Sequence, residues 1–113
     1  MHEYSIVGEL ISRVEVEART HGATSVRRLQ VRIGELAGVE TELLASAYAV
    51  FREKTICRDA ELEIHPVPAR WVCPQCGSSI SRGEVLRCSL CRVPARLEGG
   101  DEIILDRIEM EVA

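Results

Sequence analysis

Two Cys-x-x-Cys pairs, Cys73/Cys76 and Cys88/Cys91, constrain this chain more than any other feature. Within a pair, two intervening residues let both sulfurs turn toward one ion. Eleven residues separate the pairs, enough for a short hairpin to bring the second pair to the same point. Four thiolates at about 2.3 Å around a tetrahedral ion make a closed zinc site of the structural type. The competing reading is two disulfides in a secreted domain. It leaves Cys57 over, and no signal peptide opens the chain. Reduced thiols and the cytoplasm are therefore expected.

At 113 residues the chain is near the size where a single core is only adequate. Aromatic residues are 4% of the chain, so that core must be aliphatic. No apolar run approaches the roughly 18 residues of a membrane span, and no membrane partner is expected. Charge is unevenly spread. Residues 70–97 hold five arginines and one acid, a net of +4, while the remainder carries −8. A chain this acidic is a poor general binder of nucleic acid. The arginines of the cysteine segment form either a solvated face or a dock for an acidic protein.

Hydrophobic periodicity predicts a helix over 4–21, with Ile6, Val7, Leu10, Ile11, Val14 and Ala18 on one face and Gly22 as its stop. Residues 26–33 alternate, with Leu29, Val31 and Ile33 opposite Arg28, Gln30 and Arg32, which predicts a strand. Thr41 is the expected N-cap of a second helix to about Lys54, burying Leu44, Ala47, Tyr48 and Phe51. Leu62 and Ile64 mark a second strand ending near Pro66. Gly99-Gly100 opens a last strand through Val112, with Ile104, Ile108, Met110 and Val112 on one face.

The order helix, strand, helix, strand, ribbon, strand predicts an α+β fold: two helices on a small sheet of about three strands, with a zinc ribbon inserted. The expected division is residues 1–69 plus 99–113 for the α+β domain and 70–98 for the ribbon. The ribbon has few large apolar side chains, so metal must supply its stability.

The start, Met1-His2-Glu3, is a second constellation. His2 is too large for the initiator methionine to be removed, so Met1 should remain with a free α-amine. That amine, the His2 backbone nitrogen and the His2 ring can form adjacent chelate rings. Nitrogen-rich, nearly planar ligation suits Ni²⁺ or Cu²⁺ rather than zinc. Glu3 could add an oxygen, or simply sit in the first helical turn where the dipole favours an anion. By chemistry alone, a histidine at position 2 is usually incidental.

Together, Met1-His2-Glu3, Gly34-Glu35-Leu36 with Gly38-Val39-Glu40, Ala60-Glu61-Leu62-Glu63-Ile64, the paired cysteines and Gly100-Asp101-Glu102 resemble the HypA/HybF family over essentially the whole chain. The resemblance implies a nickel metallochaperone of [NiFe]-hydrogenase maturation and not an enzyme. It implies nickel on His2 with Glu3 assisting, and structural zinc on Cys73, Cys76, Cys88 and Cys91. It also implies a nickel-handling GTPase and the hydrogenase large subunit as partners; some relatives serve urease, so urease accessory proteins come within range. Either a monomer or a homodimer is compatible with this reading. One departure is local: the second knuckle reads Cys88-Ser89-Leu90-Cys91-Arg92, where a family member often has Pro after the first Cys and Gly after the second.

His21 is read as a helix C-terminal dipole partner, His65 as a strand surface residue and Cys57 as a small, partly buried thiol. The alternative function is a zinc-ribbon module binding nucleic acid or an acidic protein, with Trp71 as the one base-stacking candidate in that segment. A zinc hydrolase is disfavoured, because four cysteine ligands leave no coordination position for water.

Overall fold

The computed structural model describes residues 2–81 and 83–113. Helix α1 (Glu3–Thr20) leads through Gly22 into the long strand β1 (Ala23–Gly34). Helix α2 (Thr41–Phe51) continues into a 3-10 turn (Arg52–Lys54) before β2 (Glu61–Val67). Three short strands follow, β3 (Arg70–Val72), β4 (Ser79–Ile80) and β5 (Arg96–Gly99), and β6 (Ile103–Val112) closes the chain.

The strands form two separate sheets, ordered β2-β1-β6 and β4-β3-β5. In the first, β1 is central, parallel to β2 and antiparallel to β6. The parallel pair follows from α2, which supplies the crossover that such a connection requires. Helix α1 packs on α2, β1 and β6, and α2 also packs on β2. The shared core is aliphatic: Val7, Leu10, Ile11, Val14 and Ala18 of α1 meet Val26, Leu29, Val31 and Ile33 of β1 and Leu44 and Ala47 of α2. The α+β architecture, with two helices against a three-stranded sheet, is therefore as expected.

Four details differ from the sequence reading. The N-cap of α2 is Glu40, and Thr41 is already helical. Phe51 is 44% exposed rather than buried; its ring stacks at a tilt on Tyr4, with centroids 5.3 Å apart. Gly99 ends β5, so the last strand begins at Ile103. Finally, the register of β6 shifts where Gln30 pairs with Arg107 but Val31 pairs with Leu105. The extra residue, Asp106, is a bulge that reverses the alternation. Ile103 and Leu105 therefore face the core together with Ile108 and Met110, while Ile104 lies opposite Arg32 and Val112 is exposed.

The other sheet face is polar. Arg28 lies between carboxylates of both neighbouring strands, 3.2 Å from Glu63 and 3.6 Å from Glu109. Such exposed pairs are worth at most about 1 kcal/mol each. The chain leaves this sheet through Val67 and returns at Glu102, and both crossings are pinned to the end of β1. The Glu35 amide donates to Val67 O at 2.8 Å, Leu36 N to Gly100 O at 2.7 Å and Gly34 N to Glu102 O at 2.8 Å. Glu35 Oε1 accepts from the Ala69 amide at 2.9 Å. Gly34 is required here: a Cβ would stand 2.2 Å from the Gly100 carbonyl carbon.

Candidate metal centres

Each cysteine pair sits on a tight turn with the same hydrogen-bond plan. In the first, Cys73 Sγ accepts from the amides of Gln75 and Cys76, each at 3.4 Å. Gly77 N donates to Cys73 O at 2.9 Å. In the second, Cys88 Sγ accepts from the Cys91 amide at 3.4 Å, and Arg92 N donates to Cys88 O at 2.9 Å. Strand β3 delivers Cys73 into the first turn, and an isolated bridge between Arg87 and Pro94 closes the hairpin under the second. Amides aimed at sulfur hold it in a fixed direction at the head of each turn.

All four sulfurs lie within 4.8 Å of one another. Cys76 Sγ and Cys88 Sγ are 3.8 Å apart, matching the edge of about 3.8 Å that follows for a tetrahedron with bonds of about 2.3 Å. Cys73 and Cys88 are buried, Cys91 half-buried and Cys76 exposed. Among the thiols, hydrogen bonds from the Ser78 hydroxyl and amide pull Cys76 down to about 6. The neighbouring Cys76 sulfur, with some loss of solvent, pushes Cys91 up to about 12. The donor set suits a structural zinc with no open position. Among the described residues, these cysteines are the one group of three or more metal-type side chains drawn together.

At the other end of the chain, His2 is the N-cap of α1 and is exposed, its carbonyl accepting from Ile6 N at 3.0 Å. Glu3 is the first helical residue and is only 5% exposed. Its Oε2 accepts from the Glu40 amide at 3.1 Å. The carboxylate thus serves the positive starts of two helices at once, α1 and α2. Sequence reasoning missed Glu40 in this role, because 37 residues separate it from Glu3 and no local pattern spans that gap. The Met1 amine, named above as a ligand, lies outside the described residues.

The remaining candidates stand apart. His21 caps α1 with Nδ1 2.9 Å from Glu17 O, as a helix-end partner should. His65 is exposed beside Glu63, at 3.0 Å. Cys57 is fully buried, not partly, and burial pushes its thiol up. Tyr48 nearby donates to Ala60 O at 2.9 Å. Trp71 is half-buried in the central strand β3, between Ile80 and Leu97.

Comparison with known proteins follows the same lines. Residues 1–110 match the family model described as "Hydrogenase/urease nickel incorporation, metallochaperone, hypA". A hydrogenase maturation factor HypA of Wolinella succinogenes is 39% identical, over 98% of this chain and 96% of its own. One from Shewanella halifaxensis is 37% identical over the whole of both. The solution structure of the Ni metallochaperone HypA from Helicobacter pylori shares the fold with a TM-score of 0.74 and 31% identity, covering both chains fully. A second HypA solution structure gives a TM-score of 0.80 at 31% identity, covering all of this chain and 98% of the other. With the paired-cysteine cluster, the two-helix sheet and the family match all in agreement, this chain belongs to the HypA family of nickel-incorporation metallochaperones.

Proposed function

We propose that the chain carries Ni(II) at its extreme N-terminus and delivers it during [NiFe]-hydrogenase maturation, with zinc as a structural ion on Cys73, Cys76, Cys88 and Cys91. The observation that carries the reading is the family match over residues 1–110, beginning at Met1-His2-Glu3. Physical chemistry supports the placement. His2 is an exposed N-cap, so its ring is not held in packing. Backbone N–H groups at a helix start have no intrahelical acceptor, so the His2 nitrogen can be given up to a metal without breaking α1. The helix dipole opposes a cation there, and the Glu3 carboxylate offsets that opposition. Binding of this kind is suited to a cargo that must be released.

In this reading residues 1–69 with 99–113 form the nickel-handling unit and 70–98 the zinc ribbon. The metal is cargo, so no catalytic step is assigned, and a four-thiolate zinc holds no water to activate. Zinc ligation needs reduced thiols, which suits a cytoplasmic protein. Its partners are a nickel-handling GTPase and the hydrogenase large subunit, with urease accessory proteins a further class.

Nickel titration of His2→Gln tests the reading. Tight nickel binding should be lost while zinc content stays at the native level. Undiminished nickel affinity in that variant would remove the assignment. An N-terminal tag, which blocks the amine and leaves every side chain, should weaken or rearrange the site.

A further inference from the structure

The two zinc knuckles share one backbone plan but carry different residues after the second cysteine. Gly77 and Arg92 each follow the second cysteine of a pair, with φ of 76° and 60°. Glycine adopts that conformation freely, whereas a residue with a Cβ is strained in it. Among the described residues Arg92 is the one non-glycine with positive φ. Backbone strain persists only where surrounding structure enforces it, and it clusters at functional positions. Enforcement is visible: Arg87 Nη1 donates to the Arg92 carbonyl. The zinc fold itself gains nothing from arginine there, since Gly77 does the same backbone task unstrained.

What arginine adds is an outward guanidinium. Arg92 is exposed and forms no ion pair among the described residues. The same hairpin shows large apolar side chains to solvent: Leu90, at its tip, is 81% exposed, and Val85, at its base, 78%. Leu90 lies in the turn between Cys88 and Cys91, where sulfur ligation needs no apolar side chain. Residues 85–96 contain Arg87, Arg92 and Arg96 and no carboxylate, in a chain whose net charge is −4. Apolar anchors with an arginine rim describe a protein-docking surface, since arginine is enriched at such interfaces.

We propose that the second zinc-knuckle hairpin, with Leu90 and Arg92 at its tip and Val85 and Arg96 at its base, docks a protein partner that presents an apolar pocket rimmed by carboxylates. The patch is small, so the complex is of the transient class. A phosphate backbone offers no apolar pocket, and the acidic body repels it. The acidic zinc–thiolate centre beneath the tip limits long-range attraction; the guanidiniums act at contact range and select carboxylates.

The test rests on the functional reading for its partners and uses the full, zinc-loaded chain. Binding to the purified hydrogenase large-subunit precursor and to the purified maturation GTPase is measured by calorimetry for the native protein, Leu90→Ser and Arg92→Gly. At least one partner should bind each variant about tenfold more weakly. Arg92→Gly should at the same time hold zinc at least as tightly against a chelator, because strain is relieved. A purely structural role cannot give those opposite signs. Equal binding by the native protein and both variants would overturn the proposal, and so would no binding of either partner. Binding instead to a single-stranded oligonucleotide, or loss of a homodimer in Leu90→Ser, would overturn it in favour of nucleic acid or a second copy. Nickel titration of these variants keeps the two readings separate: it should be unchanged whether or not docking fails.

Discussion

The Glu40 amide donates to Glu3 Oε2 at 3.1 Å, tying the start of α2 to the start of α1. The contact makes one acidic side chain serve as a structural tie and as a candidate nickel-site residue. Replacing Glu3 by Ala should leave a partly buried amide without its acceptor, at a cost of about 1 kcal/mol. Glu3→Gln keeps an acceptor oxygen and should cost less. Thermal unfolding of both variants checks this; equal melting temperatures for Glu3→Ala and the native protein would refute it.

Gly34→Ala should be more disruptive than its size suggests. The new Cβ would fall within 2.6 Å of Gly100 and Asp101 backbone atoms, which cannot swing aside like a side-chain tip. Either the end of β1 or the returning chain must move, for a loss of about 1–3 kcal/mol. Gly8→Ala is the control, with nothing within 4 Å of its Cβ. Chemical denaturation should separate the two clearly.

Zinc affinity should fall as pH drops. The metal binds thiolates, so every bound proton must leave first. Cys91, pushed up to about 12, releases a proton on zinc binding at any ordinary pH. Cys76, pulled down to about 6, is largely ionised at neutral pH and adds its proton to the competition only below that value. The dependence should therefore steepen below about pH 6. Chelator competition between pH 5 and 8 measures it, and a flat profile would argue against thiolate ligation.

Truncation after Gly100 removes β6. Strand β1 then loses its antiparallel neighbour, and the core loses Ile103, Leu105, Ile108 and Met110. Partial burial of four such side chains accounts for several kcal/mol, about 1 or more apiece. The shortened chain should lose cooperative unfolding in the helical signal. Retention of the native transition would show that β6 is not part of that unit.

Much of the molecule was legible because its determinants are local. Helix α1 follows from a three- and four-residue apolar rhythm and stops at Gly22, whose φ of 67° suits the end of a helix. The alternation of Leu29, Val31 and Ile33 predicts which face of β1 is buried. What misled were places where one element answers to another. Phe51 continues the apolar stripe of α2, yet it lies outside the core and stacks on Tyr4 at the surface. Ile104 has the right parity for the core, but the bulge at Asp106 turns it to the polar face, where Arg32 reaches Asp106 at 3.1 Å.

The metal chemistry divides in the same way. Residue types and spacing specified four thiolates for one ion, since two residues between cysteines set their reach within a single turn. The family resemblance flagged position 92 as a place where the second knuckle departs from glycine. Tertiary packing decided that β1 and β2 would run parallel and that Glu3 would be buried against Glu40. Those outcomes depend on free energies shared between segments far apart in the chain, which compete for the same core space and the same hydrogen-bond partners. No window of local sequence contains both competitors.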